Sequence, residues 1–480
     1  MTPTLSLHAA IVACAGCALA FPALAQQDNQ RQIERVLRSV EGGGTFTTSV
    51  DTGLTVWERA QFDYGGSLSF SYLSLNQAGG NSVALLQPEA TIYGRINLDG
   101  VHGFYARAQF TYRDFSDGDS FDERGDQWVQ PFADRYWYEF DLRRAMDVYQ
   151  QTTIDSNLNI RVGRQFVDWA SGLALSEALY AVKPTIEFDR FNRLELVLGI
   201  TPNHTPDFDA SRMNYDRKTS RVYYGGSYTH TFERGDDIYG YVLGMHDTND
   251  EDRSRLGGLT GVDFERDSVY FGVGARGTLG DSWLYQLEGV YQYGDSASDP
   301  LLGVQSIEDL RAWAGRVQLT YVFRDENESR FQAEFLIASG DPDRRSPTDT
   351  VAGNFPGTED NGFNSLGFAF TGVAFAPTLS NLISLRAGVA TFPWRSSEDY
   401  QDLQVGVDLI ASFKQNRMGA IDELTTDDRY LGTEFDIYAN WRVTSDLALT
   451  ARYGVFKPGD AIPEPDDLRH FVYVGVTLSF

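Results

Sequence analysis

The chain ends in Phe471-Val-Tyr-Val-Gly-Val-Thr-Leu-Ser-Phe480. Val472, Val474, Val476, Leu478 and Phe480 share one parity; Tyr473, Gly475, Thr477 and Ser479 share the other. Successive side chains of a strand point to opposite faces. The segment therefore predicts a strand with one apolar face and one mostly small or polar face, ending on an aromatic residue.

The other end reads as a secretory leader. Residues 1–25 contain no Asp, Glu, Lys or Arg. An apolar run, Ala9 to Phe21, precedes Ala23-Leu24-Ala25, an A-x-A cleavage pattern that would make Gln26 the first mature residue. The n-region carries only the α-amino group and His8. Acylation at Cys14 is the alternative, and it would leave an unusually short leader. Both cysteines, Cys14 and Cys17, fall inside the leader, so the mature chain is expected to use no disulfide and no thiolate metal site. The hydrophobic fraction is 42% and the mean hydropathy −0.33. No mature segment offers the 18 or so apolar residues of a membrane helix. A β-barrel hides its membrane signal, because only alternate residues face lipid. The aromatic content of 13% suits girdles at the two membrane interfaces.

One unit recurs without sequence repetition: roughly ten or more alternating residues, then a polar break. Clear cases are Gly103 to Phe115, Arg135 to Arg144, Leu158 to Phe166, Arg221 to Phe232, Ile238 to Asp247, Ser268 to Thr278 and Trp283 to Tyr293. The series continues with Arg311 to Arg324, Arg330 to Ala338, Ile383 to Thr391, Leu403 to Lys414, Gly432 to Trp441, Leu447 to Phe456 and the terminal strand. Ser67 to Leu75, Val83 to Leu98 and Arg193 to Ile200 alternate less cleanly. That makes about 17 segments, and single-chain bacterial barrels use even numbers. The fold class expected is all-β: a transmembrane antiparallel barrel of about 18 strands, with 16 as the alternative. Thr45 to Trp57 or Thr185 to Phe191 would supply the missing strand. In such barrels the closing strand pairs with the first, and Phe480 resembles the terminal signal read by the barrel assembly machinery. Residues 26–44 would be a periplasmic segment and 45–480 the barrel. Asp99-Gly100 and Gly280-Asp281 fit tight hairpins, whereas Ser339 through Asn381 is a long polar loop. Leu173 to Val182 has helical spacing, as a constricting helix or a loop cap. Asp28 to Val40 also has helical spacing.

Function must come from the inward face. In Gly103 to Phe115, Phe104, Ala106, Ala108, Phe110 and Tyr112 suit lipid, and Tyr105, Arg107, Gln109, Thr111 and Arg113 suit water. Arg135 and Arg143 alternate with Tyr136, Tyr138 and Phe140; Arg316 and Arg324 alternate with Val317, Leu319, Tyr321 and Phe323. Parity also turns Arg161, Arg276, Arg386 and Arg452 inward. A charge on the lipid face near the midplane costs roughly 2–4 kcal/mol, so strand arginines should line the lumen. Only Lys183, Lys218, Lys414 and Lys457 are lysines, so 36 of the 40 basic residues are arginine. Arginine keeps its charge and grips carboxylates through two parallel hydrogen bonds. Arg107, Arg113, Arg135, Arg161, Arg316 and Arg452 would thus attract a carboxylated solute. The competing reading is that inward Glu139, Asp141, Glu288, Glu334, Glu434 and Asp436 pair with these arginines and only brace the wall.

The net charge of −27 does not decide between these readings, because the acid sits in breaks such as Asp247 to Asp252, Asp341 to Asp343 and Asp422 to Asp428. Loops of that kind are solvated, or bind cations between lipopolysaccharide headgroups. Asp247-x-Asn249-x-Glu251 lacks the sixth-place Gly and twelfth-place Glu of an EF-hand loop. Nucleic-acid binding has no support in an acidic chain without a basic stripe. The mature histidines, His102, His204, His230, His246 and His470, are scattered, and the nucleophile-elbow, P-loop and zincin motifs are missing. No enzyme, no metal and no cofactor is expected.

Three stretches resemble the alginate export family of outer-membrane barrels: Arg161-Val-Gly-Arg-Gln165; Ser339-Gly-Asp through Thr371-Gly and Leu379-Ser-Asn-Leu382; and Gly432-Thr-Glu-Phe-Asp436 with Tyr453-Gly-Val-Phe-Lys-Pro-Gly-Asp460. The resemblance runs from about residue 45 to the end. It implies an 18-stranded barrel with an arginine-rich conduit gated by loops, and passive export of an anionic exopolysaccharide without a cofactor. It carries Arg161, Arg164, Gln165, Glu434, Asp436 and Lys457 over as path residues. Where the family tends to continue Tyr-Gly-Asp and then Arg-Leu after Gly-Arg-Gln, this chain has Phe166-Val-Asp168-Trp. The expectation is therefore a channel in a Gram-negative outer membrane. The alternatives are an anion uptake porin, general or substrate-specific, and a barrel plugged by its loops with a structural or adhesive role.

Overall fold

The computed structural model describes residues 53–76, 82–116, 125–249 and 251–480. Asp28 to Val40, expected as a short periplasmic helix or a loose tail, and the leader lie outside these residues. Eighteen antiparallel strands close into one barrel. The first half comprises β1 (Ala60–Asn76), β2 (Ser82–Leu98), β3 (His102–Phe115), β4 (Ala133–Asp141), β5 (Asn157–Asp168), β6 (Ser176–Glu187), β7 (Asn192–Ile200), β8 (Arg221–Thr231) and β9 (Asp237–Asp247). The second comprises β10 (Arg266–Leu279), β11 (Trp283–Ala297), β12 (Ile307–Val322), β13 (Arg330–Ala338), β14 (Leu382–Thr391), β15 (Leu403–Lys414), β16 (Tyr430–Arg442), β17 (Leu447–Pro458) and β18 (Arg469–Ser479). A further two-residue strand, Gln127–Trp128, pairs only with the end of β3 and stands outside the ring.

All of the alternating segments form strands, and the eighteenth strand corrects an expectation. Leu173 to Val182 is not helical. Its second half belongs to β6, which pairs with β5 from Asp168↔Ser176 to Asn157↔Glu187 and with β7 on its other side. Ala, Leu and Glu favour a helix weakly, but a helix here would leave two strand edges open in a ring that must satisfy every backbone group inside lipid. The strand has no polar face at this level, because Leu179 and Ala181 pack inward against loops that enter the barrel. Thr45 to Trp57 does not supply a strand among its described residues; α1 (Val56–Arg59) begins there.

The terminal strand closes the ring as its alternation implies. β18 pairs with β1 from Leu75↔Phe471 to Ser67↔Ser479, and the ladder extends one step as Gly66 and Phe480 exchange two 2.9 Å backbone hydrogen bonds. Val474, Val476, Leu478 and Phe480 face outward and exposed. The Phe480 ring lies over Gly66: a Cβ there would sit 2.8 Å from the ring and 2.6 Å from the Thr91 carbonyl. Gly66→Val should therefore push the ring off the seam and cost about 1–3 kcal/mol, as overpacking does. Heat-modified gel mobility should show the folded band lost at lower temperature.

The two rims differ. Residues 99–101, 188–191, 232–236, 280–282 and 443–446 make tight connections on the rim that holds the chain's last residue. The turn into α2 (Leu142–Gln150) is on the same rim. The opposite rim carries 169–175, 201–220, 248–265, 339–381 and 415–429. Much of 339–381 folds back into the barrel: Phe363, Leu366, Val373 and Phe375 are buried in one apolar cluster with Tyr270, Leu310, Leu336 and Phe456 of the wall.

Candidate translocation path

Wall carboxylates hold the inserted loops. Glu434 accepts the consecutive backbone N–H groups of Val373, Ala374 and Phe375 at 2.5, 2.8 and 2.7 Å. Glu288 accepts the Ser171 N–H at 2.8 Å and the hydroxyls of Tyr239 and Tyr241 at 3.1 and 2.7 Å. The two inserted loops are tied to each other, since the Phe368 N–H donates to the Gly172 carbonyl at 2.7 Å. Tyr270 donates to the Asn364 carbonyl at 2.9 Å, and Arg266 to the Gly362 carbonyl at 2.9 Å. Buried backbone groups need such partners. Glu288 and Glu434 anchor loops, where the competing sequence reading has both brace arginines and the family resemblance has Glu434 as a path residue. Sequence spacing gives no sign of this, because Glu434 and the amides it accepts lie about sixty residues apart in the chain.

Beside the inserted loops, space remains in two places, first along the β1–β18 seam and then against β11–β17. One cavity of about 660 Å³ is lined by Ser67, Ser69, Ser71, Thr450, Thr477 and Arg113. A second of about 500 Å³ is lined by Gln286, Gln318, Gln332, Gln404, Asn440 and Arg330, with Phe368 and Phe370 of the inserted loop over it. Arg452 borders both. Its guanidinium lies 5.6 Å from the Tyr438 ring and forms no ion pair among the described residues. The hydroxyl row Ser67-x-Ser69-x-Ser71 is visible in the sequence as an alternating inward face, a signal in hydroxyls and not in charge.

The other expected path residues fall into three groups. Most inward arginines are braced. Arg107 grips Asp134 with Nε at 3.0 and 3.1 Å to the two carboxylate oxygens, and Arg135 Nε lies 3.8 Å from the same carboxylate. Arg161 pairs with Glu139 at 2.9 Å and covers the Trp137 ring at 4.8 Å. Buried Glu334 bridges Arg316 at 2.7 Å and Arg386 at 3.3 Å, and Arg386 also meets Asp408 at 2.9 Å. Arg113 and Gln165 face the interior, and Gln165 donates to the Ala181 carbonyl at 3.0 Å. Asp436 is buried beside Glu434 on the same inward parity. Glu334→Gln should leave the Arg316 guanidinium in the wall without its counter-charge and Arg386 with Asp408 alone, and cost about 3–5 kcal/mol. Urea unfolding in detergent would read this loss.

Three expected path residues lie elsewhere, and each is a correction. Arg143 is not on a strand: β4 ends at Asp141, whose side chain accepts the Arg144 N–H and caps α2, so Arg143 sits on the turn rim, 3.1 Å from Glu187. Arg324 lies past the end of β12 in a turn, exposed and 3.0 Å from Asp281. Lys457 shares the outward parity of Tyr453 and Val455 and is exposed on the outer wall. Arg164 cannot share a face with its neighbour Gln165. It stands opposite outward Tyr136, its guanidinium 5.7 Å from the Tyr180 ring, and borders the larger cavity where β4 and β5 stop pairing.

Charge at the loop rim is ordered too. Asp360 is fully buried; burial alone would raise its pKa, but Arg344 at 2.6 Å and Arg266 at 3.5 Å hold it below the ordinary carboxylate range. Asp422 accepts the Thr378 N–H and hydroxyl at 2.5 and 2.7 Å, and burial pushes it up to about 6. Among the described residues no group of three His, Cys, Asp or Glu side chains could hold a metal.

A closed 18-strand barrel with an apolar outer band, a polar interior and loops folded into it defines an outer-membrane channel. Residues 204–473 match the family model described as Alginate export, and the chain belongs to that family. A search of curated proteins gave no match. Among solved structures the chain is similar to Acinetobacter baumannii OccAB1 (12% identity, 87% of this chain and 97% of that one, TM-score 0.54). It is similar to Pseudomonas aeruginosa OpdK with vanillate (10%, 88% and 99%, TM-score 0.52) and to P. aeruginosa OccK2 (13%, 87% and 98%, TM-score 0.51). At these identities the likeness is one of fold.

Proposed function

We propose that this barrel passes an anionic, alginate-like exopolysaccharide outward and passively through the two cavities that meet at Arg452. The observation that carries the reading is Arg452, a cation without an ion pair among the described residues, at the junction of the two cavities. Arg107, Arg135, Arg161, Arg316 and Arg386 are paired with Asp134, Glu139, Glu334 and Asp408, so they brace the wall. Arg452 can give both of its donor edges to a uronate carboxylate, and the serine and threonine row across the cavity can bond sugar hydroxyls.

Planar-bilayer recordings with a salt gradient test this, repeated with oligouronates added. Anion selectivity with block by the oligouronates is expected. Passage of small anions without block would favour uptake of small solutes. Cation selectivity without block would overturn the proposal. Flux assays on vesicles would then fix the direction.

A further inference from the structure

The inserted loop has a second fastening at the rim, where two carboxyl groups interlock. Asp209, on loop 201–220, accepts the N–H of Thr350 at 3.0 Å and also its hydroxyl. Asp349, next to Thr350 on loop 339–381, accepts the N–H of Ala210 at 3.1 Å. Each acid thus bonds the residue beside the other acid. The Val351 N–H completes the contact on the Ser211 hydroxyl at 3.1 Å. Asp209 is 2% exposed and Asp349 7%.

The surrounding guanidiniums are mostly engaged by other carboxylates, and Arg344 opposes the rise at Asp349 only as the least of its influences. On loop 201–220, Asp207 lies 2.7 Å from Arg221 of β8 and 3.7 Å from Arg212, and Arg221 also meets Asp247 of β9. Arg212 also faces Asp252 of loop 248–265, and Arg255 of that loop reaches the Ala210 carbonyl at 3.5 Å. On loop 339–381, Arg344 gives its Nη1 to Asp360 and its Nε to the Ser346 carbonyl, and meets the Asp349 backbone at 3.2 Å. Arg266 of β10 is engaged by Asp360 and Gly362.

We propose that the Asp209–Asp349 interlock is a proton-dependent latch that keeps loop 339–381 seated when one of the two carboxyl groups is protonated and loosens when both are ionised. The inference holds whatever solute the barrel carries. Two buried carboxylates in one site resist ionising together. Burial first, and the Asp209 charge second, push Asp349 up to about 7. Burial likewise raises Asp209. The sign follows: a carboxyl whose pKa is raised in the latched state favours latching at pH below its free value near 4. That preference is lost as pH rises through about 7. In that window each pH unit should shift the latched-to-unlatched ratio by up to about tenfold.

Hydrogen exchange of the full chain in detergent, corrected for intrinsic rates, tests this at the Thr350 and Val351 amides. Their protection should fall by about tenfold or more between pH 6 and pH 8. Asp349→Asn, which keeps an acceptor for Ala210, should flatten that dependence, and so should Asp209→Asn. Single-channel open time should follow the same course. Protection that does not change with pH, or a pH step that survives in both asparagine variants, would overturn the latch. Neither result bears on which solute is carried.

Discussion

Arg452→Glu is expected to lower the anion-over-cation permeability ratio by about tenfold or more and to abolish block by oligouronates. A guanidinium that has carboxylates nearby but no ion pair can still concentrate counter-ions in a low-dielectric cleft by factors of that order. The substitution would also place a third carboxylate near Asp408 and Asp436, and the reversed sign would then dominate the junction of the two cavities. Reversal potential in a salt gradient reads the ratio directly. Arg452→Lys separates charge from geometry. It should keep the selectivity but weaken oligouronate block, because an ammonium cannot make the paired hydrogen bonds of a guanidinium. If the glutamate variant were as anion-selective as the parent, the current would not pass Arg452, and the path would have to run through the inserted loop.

Glu434→Ala should unseat the inserted loop from the opposite wall. Each of three backbone N–H groups would lose a charged acceptor, and hydrogen bonds to charged groups contribute roughly 1.5–3 kcal/mol apiece. Their loss is large against the fit of one loop but leaves the strand ladder untouched. Barrel stability to heat should therefore change little. The amides of Val373 to Phe375 should exchange faster, and single-channel conductance should rise, with selectivity shifting toward that of the bare wall. Glu434→Gln keeps one carbonyl oxygen and should fall between the two. Unchanged exchange at those amides would mean that Phe375, stacked on Phe456 with ring centroids 4.2 Å apart, holds the segment by itself.

The barrel follows from the order of residues alone. Alternation is local: it follows from the two-residue period of a strand, and lipid on one side makes the pattern strict. That is why the terminal segment could be assigned to the closing strand, Arg107, Arg161 and Arg452 to the interior, and short turns to one rim. Where the local rule lapses, the reading lapsed as well. The segment from Leu173 to Val182 lost its alternation because its inner face meets loops, not water, and only the need to close the ring makes it a strand. Arg143, Arg324 and Lys457 were misplaced at strand ends, where a one-residue change in boundary or parity moves a side chain to a rim or to the outer wall. Which charges remain available depends on the folded barrel. Glu334, Glu288 and Glu434 look alike in the sequence. One neutralises two arginines, and the other two hold loops whose chain positions are far removed. Such pairings depend on which residues a closed wall and a folded-in loop bring within about 3 Å, and no spacing along the chain encodes that.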